Sequence, residues 1–235
     1  MEFLLKMEYE SELDRAENLL ETVISFGKFG TDNPQKITRP LAEVLEEIRR
    51  LNVRIDPIKE SYVKAVELRI TKFLNKSENS INKVVVKINA QVKANFGKDS
   101  REAVSVEMII VEMRSNRRRK PGATTDETLM RNAFHAYQVQ TRLFSDLVAK
   151  LIQLRSQYKP SHPAIKISQL IALHNDAVVA NNAVRDAYLV AKHNYFERLD
   201  KYRQLQDIVA QVIDDVRKQY GLCSLQFVKV KQYRF

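Results

Sequence analysis

Apolar residues along this chain come singly or in pairs, three and four positions apart, with Lys, Glu, Arg, Gln and Asp between them. That spacing is helical, because side chains three and four apart share one face of an α-helix. The first stripe, Leu13, Leu19, Leu20, Val23 and Ile24, predicts a helix over about 8–26, closed by Gly27 and Gly30. The next is far longer. Leu41, Val44, Ile48, Leu51, Ile55, Ile58, Tyr62, Val66, Ile70, Phe73, Ile81, Val84, Ile88, Val92 and Phe96 predict one helix from Thr38 to Phe96. Thr38 suits its N-cap, and Pro40 suits its first turn, where a missing N–H does no harm. Pro57 falls inside the run and either kinks the helix or breaks it at Asp56.

The second half repeats this plan. Met130, Phe134, Tyr137, Phe144, Leu147, Leu151 and Leu154 predict a helix over about 126–157, broken by Lys159-Pro160-Ser161-His162-Pro163. A long helix then opens at Ser168 and reaches Tyr220. Its first half keeps a seam of Leu170, Leu173, Ala177, Ala180, Val184, Ala187 and Ala191. The seam continues as Tyr195, Leu199, Tyr202, Val209, Ile213, Val216 and Tyr220. Successive steps of four at 191–195–199 read as a stutter.

Two landmarks recur in the same order, which makes a duplication the first structural question. VKANFGKDS (92–100) returns as VRKQYGLCS (216–224), so that Phe96, Gly97 and Ser100 answer to Tyr220, Gly221 and Ser224. Upstream, PQKIT (34–38) echoes PAIKIS (163–168). Each glycine follows the last apolar position of its helix, where a left-handed C-cap residue belongs. Phe96 or Tyr220 plugs the bundle end, and Ser100 or Ser224 caps the next turn. The segments beyond, EAVSVEMIIVEM (102–113) and LQFVKVKQYRF (225–235), suit either a helical turn or short extended pieces. The fold expected is all-α: an elongated antiparallel four-helix bundle made of two duplicated αα-hairpins, residues 1–120 and 121–235, in one intertwined domain.

The ending V-K/R-x-x-F/Y-G-x-x-S, followed by Val and a basic residue, resembles a group of small uncharacterised bacterial helical proteins. The resemblance implies a helical fold and a bacterial source, and no activity.

Composition narrows the functional classes. Five Gly and six Pro are few for 235 residues and agree with long helices. No apolar run approaches a membrane span, and Lys6 and Glu8 interrupt the apolar start, so a cytoplasmic protein is expected. One cysteine, Cys223, excludes an intrachain disulfide and a multi-cysteine metal site. His135, His162, His174 and His193 form no HExxH or ExxH pattern, and the glycines form no phosphate-binding loop. No cofactor, no metal, no small-molecule substrate and no catalytic residue is expected.

The formal net charge of +10 favours anionic partners. The cations concentrate in Arg114, Arg117, Arg118, Arg119 and Lys120, and again in Lys229, Lys231 and Arg234. The leading expectation is a non-catalytic structural or interaction protein, with a homo-oligomer or a protein partner. The alternative is a peripheral anion binder whose basic clusters meet nucleic-acid backbone or acidic lipid.

Overall fold

Helical spacing becomes helix over most of the described residues. The computed structural model describes residues 10–27, 35–74, 77–115, 126–154 and 157–235, and no strand occurs among them. Helix α1 spans Glu10–Ser25, α2 Gln35–Val53, α3 Ile55–Phe73, α4 Ile81–Phe96 and α5 Arg101–Ser115. Helix α6 spans Asp126–Gln153, a 3₁₀ turn Pro163–Ile165, α7 Ile167–Tyr220 and α8 Leu225–Lys231. The start of α7 falls one residue ahead of the predicted Ser168, and its end is the predicted Tyr220.

The single helix expected over 38–96 is instead three. It begins at Gln35, a turn ahead of Thr38, so Thr38 is not its N-cap and Pro40 lies inside it. The first break falls at Arg54 rather than Asp56. A proline ring collides with the carbonyl four residues earlier, which for Pro57 is Val53, the last residue of α2. The Arg54 N–H turns back to Leu51 O at 3.2 Å, and the Arg54 carbonyl accepts from Ile58 N at 3.1 Å. Pro57 thereby becomes the third residue of α3, within the first turn, where its missing donor is harmless.

The second break is a turn around Ser77. The Asn79 N–H donates to Ser77 Oγ at 3.2 Å, and the Ser80 N–H to Ser77 O at 3.0 Å. Short hydroxyl side chains compete with the helical ladder in this way. Ser80 then stands at the N-cap of α4 in extended backbone, without a side-chain cap bond.

The chain divides into two compact units, residues 60–188, and residues 1–59 with 189–235. In the first, α4 packs on α5 and α5 on α6. Their shared core includes Phe73, Ile81, Val84, Ile88, Val92, Val106, Ile110, Phe144, Leu147, Leu151 and Leu170. The loop before α7 is pinned to α4: Gln91 Oε1 accepts from the Ser161 N–H at 3.0 Å and from its hydroxyl at 2.6 Å. Tyr158 is buried there, and its hydroxyl donates to Ile165 O at 2.9 Å. Burial pushes that phenol up to about 12 from an ordinary 10.0.

In the second unit, α1 packs on α2 and on α8. Ala16, Leu19, Val23, Leu41, Leu45, Ile48, Tyr202, Leu205, Val212, Val216 and Val230 form the core. Helix α1 ends in a tightened turn: Phe26 N donates to Val23 O and Gly27 N to Ile24 O, each at 3.2 Å. Gly27 takes φ 62°, the left-handed region. Gly30 and the division expected at 120/121 lie outside the described residues.

Candidate interaction surfaces

The two glycine motifs fold alike. The Gly97 N–H donates to Lys93 O at 3.0 Å, Ser100 N to Gly97 O at 3.4 Å, and Val104 N to Ser100 O at 3.0 Å. The Gly221 N–H donates to Arg217 O at 2.9 Å, Ser224 N to Gly221 O at 3.3 Å, and Val228 N to Ser224 O at 3.1 Å. The serine hydroxyls donate back to the glycine carbonyls at 2.9 and 2.8 Å. As N-caps, they accept from Ala103 N and Phe227 N, each at 3.1 Å. The capping roles expected for Ser100 and Ser224 are therefore present. Both following segments are helices, not extended pieces.

One detail departs from expectation. Gly97 has φ 89° and ψ 150°, not the left-handed helical conformation of a common C-cap. That region belongs almost only to glycine, so the need for Gly is the stronger. Gly221 has φ 87°. Phe96 packs against the core of residues 60–188, and Tyr220 against the core of its own unit, edge-on to Phe26 at 5.9 Å.

Beyond each motif the helix shows an apolar outer face. On α5, Ala103, Val106, Ile110 and Met113 are buried, while Val104, Met108 and Val111 are exposed. The exposed three line a groove of about 500 Å³ with Glu107, Glu112 and Ser115. A hydrogen bond from Lys93 Nζ at 2.8 Å holds the Glu107 carboxyl below its usual range. On α8, Val230 is fully buried, and Leu225 and Val228 remain 77 % and 61 % exposed. Leu222, in the turn before, is 68 % exposed, and its neighbour Cys223 is a free, exposed thiol.

The basic residues fall in different units. Lys229, Lys231 and Arg234 are exposed around α8. Arg114 is exposed at the end of α5, and Arg117, Arg118, Arg119 and Lys120 lie outside the described residues. Arg114 shares a groove of about 560 Å³ with Lys83, Lys87, Asn82 and Gln140. Glu78 stands 3.4 Å from each lysine. Lys83 first, then Lys87, hold its carboxyl below the usual range.

Two buried arginines escaped the sequence reading. Arg69 on α3 is 6 % exposed, donates through Nη1 to Asn181 Oδ1 at 3.3 Å, and stacks over the Tyr137 ring at 4.3 Å. Arg198 on α7 is 2 % exposed and donates through Nε to Asn52 Oδ1 at 3.0 Å. Burial lowers the pKa of both guanidinium groups, opposed by Tyr137 and Tyr62 at Arg69 and by Tyr202 at Arg198. The stutter predicted at 191–195–199 falls instead at 194–198–202: the buried line runs Ala191, Asn194, Arg198, Tyr202 and Leu205. The signal that would have revealed them is a polar residue keeping the core spacing.

His162 and His193 make local contacts. His162 Nδ1 accepts from Ala164 N at 3.1 Å and caps the 3₁₀ turn, and His193 lies 3.4 Å from Glu197. Among the described residues no group of His, Cys, Asp and Glu is placed to hold a metal ion. No helix among them is long and apolar enough to cross a membrane. Comparisons with known protein families, with curated proteins and with solved structures found no match.

Proposed function

We propose that this chain is a non-catalytic helical interaction protein of the cytoplasm that assembles with further copies of itself. The observation that carries the reading is the double-faced α5, which buries one apolar stripe in its own core and exposes Val104, Met108 and Val111 on another. Exposed apolar residues grouped in a groove, rather than scattered, favour a partner surface. The shared bonding of the two glycine motifs supports an origin of the chain in two duplicated helical hairpins. That motif also underlies the proposed kinship with uncharacterised bacterial helical proteins.

Sedimentation velocity over a range of concentrations tests the reading. The wild type is expected to run heavier than its 27.3 kDa, and Met108→Asp to shift it towards the monomer with its helicity intact. A wild type that stays monomeric at every concentration would overturn it.

A second reading, binding of anions, is favoured by the convergence of Lys83, Lys87 and Arg114 on one groove. Its ligand would be phosphate backbone. Duplex DNA binding measured against salt should lose about two units of log–log slope in Lys83→Gln/Lys87→Gln. Indifference of the wild type to DNA at low salt would end this reading.

A further inference from the structure

The exposed faces of α5 and α8 are complementary in charge. The α5 groove combines Val104, Met108 and Val111 with Glu107 and Glu112; Glu107 is already held by Lys93 at 2.8 Å, and Glu112 has no ion pair among the described residues. The α8 face combines Leu222, Leu225 and Val228 with Lys229 and Lys231. No Asp or Glu follows Asp215 in the sequence. The carboxylates just before, Asp214 and Asp215, are held by Arg217 and Lys218 at 2.9 to 3.5 Å. Among the described residues, neither Lys229 nor Lys231 meets a carboxylate within 4.0 Å.

Each face sits on the same rigid support. A positive-φ glycine stops one helix, a serine caps the next, and a fully buried valine, Val106 or Val230, anchors that helix to its core. The outer residues are thus presented by fixed backbone, which lowers the ordering lost on association. The lysines and Glu112 sit beside the apolar residues, where opposite charges set the register of docking.

We propose that the α8 face of one copy docks in the α5 groove of another. This deepens the self-assembly reading and rests on it. The contact pairs two different surfaces, so it is heterologous. Repetition of such a contact gives a ring if the rotation closes and an open filament if it does not.

Charge exchange tests the pairing. Lys229→Glu/Lys231→Glu alone and Glu112→Lys alone are each expected to weaken association, by roughly tenfold. Mixing the two variants should restore it, because each then offers the face that the other lacks. Lys229, Lys231 and Glu112 are exposed, and circular dichroism checks that the variants fold. Failure of the mixture to associate, where Met108→Asp still dissolves the wild-type assembly, overturns the pairing and leaves the self-assembly reading standing. A monomeric wild type overturns both. If the lysine variant keeps the wild-type mass but loses binding to phosphatidylserine-containing vesicles, the α8 face belongs to acidic lipid and the pairing falls.

Discussion

The Arg198 guanidinium donates to Asn52 Oδ1 at 3.0 Å, and among the described residues it has no carboxylate within 4.0 Å. Asn52 completes a triangle by donating through Nδ2 to the Tyr202 hydroxyl at 3.3 Å. Arg198 Nη1 and Asn194 Oδ1 are buried without a hydrogen-bond partner in the described chain. A buried charge thus leans on neutral dipoles. Removing one dipole should be more damaging than removing the charge with it, because an orphaned buried donor costs its desolvation.

Asn52→Ala is accordingly expected to destabilise the protein by about 2–3 kcal/mol. Adding Arg198→Met to it should recover part of that loss. Urea denaturation of the two single variants and the double variant gives the coupling directly. Strict additivity of the two losses would show that the Nε–Oδ1 bond contributes nothing of its own.

Gly97→Ala should cost about 1–3 kcal/mol, although a Cβ there would meet nothing within 4 Å. The penalty is backbone conformation alone. A thermal melt of Gly97→Ala within error of the wild type would contradict the assigned φ of 89° and ψ of 150°.

The three serines that precede helices should behave differently. Ser100→Ala and Ser224→Ala remove N-cap acceptors and should each cost about 1 kcal/mol. Ser80 occupies the same position before α4, but its Oγ makes no cap bond and is buried without a partner. Ser80→Ala should therefore be neutral or slightly stabilising. A loss at Ser80 equal to that at Ser100 would refute the distinction.

Tyr158 sets an alkaline limit. Its folded pKa of about 12 lies above the ordinary 10.0, so the folded state favours the neutral phenol. Its contribution is complete below pH 10 and is lost as pH rises through 12. Absorbance titration should show one phenol ionising late, accompanied by loss of structure around Ile165. In Tyr158→Phe that late step should vanish, with about 1 kcal/mol lost from the bond to Ile165 O.

Much of the fold was legible where helical spacing ran unbroken. Leu170, Ala177, Ala180, Val184 and Val216, all expected inward, are fully buried. Breaks were less legible because they depend on clashes between residues apart in sequence. Pro57 acts at Val53, and the Ser77 turn competes with a pattern whose apolar positions continue on both sides of it. Tyr195 and Leu199 attracted the seam because they are the apolar residues nearest its spacing, yet Asn194 and Arg198 take the buried places. Ile24 likewise extended a real stripe but faces out. Of the candidate surfaces, the glycine and serine roles followed from local rules. The outward faces of α5 and α8 did not, since a sequence shows that residues are apolar without showing which are covered.

Cys223 gives all of this an experimental handle. It is the chain's one thiol, it is exposed, and it stands between Leu222 and the capping Ser224. A spin label or fluorophore attached there reports from the edge of the α8 face without any cysteine having to be removed or added. The protein is in effect supplied with a single, already placed attachment point. Distances between labels on neighbouring copies would therefore separate a ring from a filament using the wild-type chain.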